Sequence, residues 1–136
     1  MKVFFHEFSL STSKRLEIVD ITDKVEEAVL KSGVKNGLCL IHAAHATAAI
    51  VVNENEFGLI QDILKKIEEE FPIGAGYQHD RIDDNAHAHL ISTFLSSSKI
   101  FPVKGSRIVR GIWQNIFFVE ADGPRRRRII VEVLGE

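Results

Sequence analysis

Six histidines (His6, His42, His45, His79, His87 and His89) are the side chains of this 136-residue sequence best suited to metal or acid–base chemistry. Two lie in the apolar stretch IHAAHATAAIVVNE at Ile41–Glu54, and two in NAHAHL at Asn85–Leu90. Three imidazoles around one divalent ion leave a fourth tetrahedral position open, which is the arrangement of a catalytic zinc site. Periodicity thins the choice. On one continuous strand, His42 and His45 face opposite sides. On a helix, His87 and His89 are about 200° apart and cannot chelate one ion together. The pattern NAHAHLISTFL groups Ala86, His89, Leu90 and Phe94, which predicts His89 inward and His87 outward. His45 at a strand end, His79 in an aperiodic loop and His89 on a helix face are then the three that can converge. No HExxH or CxxC spacing supports the set, so each histidine also reads as a surface or hydrogen-bonded core residue.

Asn53-Glu54 follows the second apolar strand directly. The Glu54 carboxylate suits a general base near a metal-bound water, and it equally suits the first turn of the next helix. RRRR at Arg125–Arg128 is the one charge run. On a strand, Arg125 and Arg127 share one face and Arg126 and Arg128 the other. The run reads as a solvated strand, or as one pair lining an anion site.

The elements that must position these groups are legible from period and punctuation. Val3–Leu10 and Arg15–Ile21 alternate around Ser11-Thr12-Ser13, which predicts a hairpin. Asp23 and Glu26 resemble a capping box, opening a short helix that Gly33 stops. Leu38–His42 and Ala48–Asn53 read as buried strands. Phe57, Ile60, Ile63, Leu64, Ile67 and Phe71 form one helical stripe, which Pro72 ends. Pro72–Asp83 reads as a loop. Asp84 is placed to cap a helix from Asn85 to about Ser97. Gly111–Glu120 and Arg125–Leu134 read as a second hairpin joined by Ala121-Asp122-Gly123-Pro124. Strands outnumber helices, so the expected class is α+β, a mostly antiparallel sheet with helices packed on one side.

At this length, residues 1–136 form one domain with room for one core. The composition, 45% hydrophobic and 26% charged, is that of an ordinary globular chain. A net charge of −2 argues against nucleic acid or anionic membrane as a partner. The single cysteine, Cys39, cannot form an internal disulfide and sits in an apolar run. No apolar run reaches membrane-spanning length, and no signal-peptide core precedes His6, so a cytoplasmic location is expected.

Several segments occur together in order: HATAAIVVNENE, Asp62, YQHDRIDDNAHAHL, FPV and GIWQNIFFVEADGPRRR. Together they resemble the YjbQ-like family, small proteins often labelled secondary thiamine-phosphate synthase. The resemblance runs from about Gly37 to the C-terminus. Its His-Thr-Thr-Ala…Asn-Glu segment matches His45, Thr47, Ala48, Asn53 and Glu54, with Ala46 departing from it. Tyr77, His79, Ala88, His89, Leu90, Gly111, Trp113, Gln114, Glu120 and Asp122 through Arg127 also match, whereas Ile112 replaces a threonine and Ser96 a glycine. The resemblance implies an α+β homotrimer with a divalent metal, zinc by ligand type, on His45, His79 and His89 at or near a subunit interface. It implies a small phosphorylated substrate: a pyrimidine pyrophosphate joined to a thiazole phosphate with release of pyrophosphate. In that setting Glu54 and Thr47 are the catalytic candidates, Arg125 and Arg127 the phosphate clamps, Trp113 the ring cover, and Asn53, Asn85 and Gln114 further substrate contacts. Metal-assisted hydrolysis of a phosphate ester and a non-catalytic ligand-binding trimer are the competing readings. His6, His42 and His87 gain no role.

Overall fold

A computed structural model describes residues 1–136. The strands are β1 (Lys2–Ser11), β2 (Glu17–Asp20), β3 (Asn36–Ala43), β4 (Ala48–Asn53), β5 (Ser98–Lys104), β6 (Arg107–Ile108), β7 (Asn115–Glu120) and β8 (Arg126–Gly135). The helices are α1 (Thr22–Ser32), α2 (Phe57–Glu70) and α3 (Ala86–Leu95), with a 3-10 turn at Gln78–Arg81. Every strand pair is antiparallel, and the class is α+β.

The strands divide into two sheets, one ordered β1-β8-β3-β5-β6 and the other β2-β7-β4. Inward residues of the larger sheet, including Cys39, Ile41, Phe101, Ile129 and Val131, meet Ala48, Ile50, Ile116 and Phe118 of the smaller one and Val25 and Val29 of α1. The other face of the smaller sheet presents Ala49, Val119 and Ala121 to Ile67 of α2 and Ala88 and Ile91 of α3. The small sheet is thus a middle layer covered on both sides, which explains why Ile116–Glu120 is an unbroken buried run rather than an alternating one. The larger sheet leaves Val3, Phe5, Leu38 and Ile100 exposed on its outer face.

Both predicted hairpins are corrected by this layering. β1 pairs with β8 and β2 with β7, and β7 and β8 themselves lie in different sheets. The short connections cross between layers, a choice that period-2 alternation does not encode. The helix caps differ too. Asp20, not Asp23, receives Thr22 N at 2.9 Å and Thr22 Oγ1 at 2.6 Å. At α3, Asp80 rather than Asp84 receives the Ala86 amide, at 3.1 Å. Gly37 faces Gly135 across β3 and β8, where a Cβ on Gly37 would collide with the Leu134 carbonyl.

Candidate functional site

Helix α3 has two different sides, and the sequence expectation for them is reversed. His87 is 4% exposed and faces the protein with Ala88 and Ile91, while Phe94 is 71% exposed. His89 is on the opposite, part-exposed side. The apolar pattern misled because Ala88 and Ile91, rather than Leu90 and Phe94, pack on the middle sheet, and a buried histidine completes that face.

Two of the three predicted metal ligands do come together. The His79 ring, held in the 3-10 turn, lies 4.8 Å from that of His89, edge to face. They share an open pocket of about 350 Å³ with Tyr77, Leu90 and Thr93. Asp83 is close enough for both rings to help hold its carboxyl below the usual range, behind the stronger effect of the Asp84 amide.

A chain of hydrogen bonds fixes the tautomer of His79. Arg125 Nη2 donates to Asp122 Oδ2 at 2.9 Å, and Asn85 Nδ2 donates to the same oxygen at 3.0 Å. That orients the Asn85 amide, so its Oδ1 is the acceptor 3.2 Å from His79 Nε2. In the neutral ring Nε2 therefore carries the proton and Nδ1 keeps its lone pair. Asn85 and Arg125, expected to touch substrate, are engaged here in setting this ring.

His45 stands apart from the pair. Its Nε2 accepts the Arg128 amide at 2.8 Å, which ties up the lone pair a metal needs. Burial, with Arg127 and Arg128 nearby, lowers its pKa below the ordinary histidine value. No group of three His, Cys, Asp or Glu side chains in the chain is arranged to hold a metal ion. The expected convergence of His45, His79 and His89 is thus not met within one chain, because the β3–β4 loop packs His45 onto the start of β8.

Arg127 is buried, 3% exposed, beside the fully buried Glu120. Its Nε donates to Glu120 Oε1 at 2.8 Å, and its Nη2 bonds Glu120 Oε2 and, at 2.9 Å, Thr47 Oγ1. Thr12 Oγ1 also donates to Glu120, at 2.7 Å. Burial alone would raise the Glu120 pKa, but Arg127, the Asp122 amide and Thr12 outweigh it and hold the carboxyl low. Arg127, expected as a phosphate clamp, and Thr47, expected as a catalytic candidate, are buried partners of one another here. The alternative that one strand arginine lines an anion site fails for Arg127 because Glu120 is that anion.

The remaining candidates lie at the other end of the middle sheet. Asn53 pairs with Asn115 at one end of β4–β7, and Ala48 pairs with Glu120 at the other. Five residue steps at about 3.4 Å each separate these ends by roughly 17 Å. Glu54 follows Asn53, whose Oδ1 receives the Glu54 amide at 2.8 Å. Trp113 is 67% exposed, with Ile112 and Phe57 exposed as well. Gln114 Oε1 accepts the Gly111 amide at 2.7 Å, closing that turn.

The family model for UPF0047 protein YjbQ-like matches residues 6–136. The chain belongs to the YjbQ-like family. A UPF0047 protein of Archaeoglobus fulgidus is 49% identical over 94% of this chain and 99% of its own length. A protein of unknown function from Sulfolobus solfataricus, solved as a crystal structure, is 57% identical over 99% of both chains with a TM-score of 0.98. A hypothetical protein of Aeropyrum pernix, also a crystal structure, is 43% identical over 97% of this chain and 98% of its own, with a TM-score of 0.94. Within this YjbQ-like fold, no helix is long and apolar enough to cross a membrane. Asp122 is the site residue whose role sequence reasoning missed, and its place in the 121–124 turn was the one visible signal.

Proposed function

We propose that this YjbQ-like protein is a metal-dependent, cytoplasmic enzyme of small phosphorylated substrates, holding a divalent cation, zinc by donor type, on His79 and His89. The supporting observation is the run from Arg125 through Asp122 and Asn85, which leaves His79 Nδ1 with a free lone pair beside His89. Metal-ligating histidines ordinarily donate their other ring N–H to such an oriented partner. When bound, the cation supplies charge stabilisation for a leaving phosphate or diphosphate. The family resemblance supports the particular transfer, a pyrimidine pyrophosphate joined to a thiazole phosphate with release of pyrophosphate.

Two imidazoles fill half of a tetrahedral site, and Glu54, Asn53 and Trp113 lie at the far end of β4. A head-to-tail ring of three copies joins two different surfaces of each subunit, and in this reading they are the Glu54 end of one and the histidine end of the next. In that shared site Glu54 takes the proton, Trp113 covers the substrate ring, and Asn53 and Gln114 orient it. The exposure of Trp113, Ile112 and Phe57 supports an interface there.

A second reading, ligand binding without turnover, is favoured by one observation: Arg127 and Arg125 are both already paired with carboxylates. Incubating zinc-loaded protein with the two thiamine precursors separates the readings. Pyrophosphate release that requires both supports the transfer. Phosphate released from one compound indicates hydrolysis, and tight binding with neither indicates a binding protein. His89→Ala should abolish zinc uptake, and His87→Ala should leave it intact. Equal loss in both would remove His89 from the ligand set.

A further inference from the structure

On the side of α3 opposite His89, a second cavity of about 190 Å³ opens between α3, α2 and the segment before β2. Leu16, Ile67, Phe71 and Ile91 give it apolar walls, and His87 and Arg15 contribute its interior polar groups. Glu68 also lines it but is exposed to solvent, where water screens its charge. We propose that this cavity binds a small monocarboxylate with an apolar body, its carboxylate on the Arg15 guanidinium.

The chain's eight ion pairs engage Arg107, Arg110, Arg125, Arg127 and Arg128 but not Arg15. Arg15 is half-buried, and its side chain makes one bond within the chain, from Nη1 to His87 Nε2 at 3.3 Å. A guanidinium can only donate, so Nε2 of His87 accepts and Nδ1 carries the ring proton. That Nδ1 is fully buried with no partner. His87 therefore anchors one arm of Arg15 without neutralising it. A cation held against apolar walls, with most of its fork of donors unspent, is matched by a carboxylate, which accepts two parallel N–H bonds. A cavity this size admits one ring or a short branched chain and excludes a nucleotide. It is separate from the His79–His89 pocket, since α3 stands between them.

Benzoate is the probe, with benzamide as its neutral isostere, followed by amide chemical shifts of the 136-residue chain. Benzoate should give saturable shifts centred on Arg15, Leu16, Phe71 and His87. Benzamide should bind at least about tenfold more weakly, as should benzoate to Arg15→Gln. Arg15→Lys, which keeps the charge and loses the fork, should fall between wild type and Arg15→Gln and guards against misfolding of the latter. Equal affinity for benzamide, shifts centred on Tyr77, His89 and Thr93, or no saturable shift at millimolar benzoate would each overturn the proposal.

Discussion

Glu120 and Asp122 stand two residues apart around one turn, and each anchors an arginine, yet they serve opposite ends. Glu120 is sealed in the interior and spends its oxygens on Arg127 and Thr12 and on the Asp122 amide. Asp122 lies at the edge and passes its hold outward through Asn85 to His79. The chemistry of the two carboxylates is the same. Burial decides that one closes a network and the other leaves a ring nitrogen free at a pocket. An arginine beside a candidate site is therefore informative only once its partner's burial is known.

The comparison breaks most visibly at Glu120. Glu120→Ala leaves the Arg127 charge buried and alone, and should cost about 3–5 kcal/mol of stability in urea unfolding. A loss below about 1 kcal/mol would show that water reaches Arg127 and that the network is not closed. Asp122→Ala should do the reverse: unfolding shifts little, while zinc affinity measured by calorimetry falls about 10–100-fold as His79 loses its orientation.

Acid should separate the regions further. His45 and His87 both have folded pKa values below the ordinary one, burial being the larger cause, followed by neighbouring arginines. A depressed folded pKa means the unfolded chain binds the proton more readily. Their contribution is complete above the ordinary histidine pKa of about 6.5 and is lost as pH falls through the lower folded values. Stability should decline as pH falls below about 7, and a His45→Gln, His87→Gln double variant should flatten that slope. The smallest effect is expected at Arg128→Ala. Its side chain is 53% exposed against Glu7, and its backbone amide, not its side chain, holds His45. Stability should change by less than about 0.5 kcal/mol, with zinc uptake unaltered.

The strands at 38–42 and 48–53, the α2 stripe and the burial of Cys39 could be read from the sequence, because each has a strong local period or an apolar run. The two-sheet layering could not, since crossing between layers leaves no trace in alternation. At the site, the pairing of His79 with His89 was legible. The sidedness of α3 was not, because Leu90 and Phe94 are as apolar as the residues that are in fact buried. The separation of Glu54 and Trp113 from the histidines was hidden too, since strand length along β4, rather than residue type, sets it.

The central claim is a specific ring state: His79 protonated at Nε2, with Nδ1 and His89 free to take a cation. Long-range nitrogen–proton correlation spectra of the histidine rings, recorded during a zinc titration, read this directly. The account predicts an Nε2–H tautomer for His79 before zinc, then shifts at His79 Nδ1 and His89 with His87 unmoved. An Nδ1–H tautomer at His79, or zinc shifts at His87 in place of His89, would contradict it.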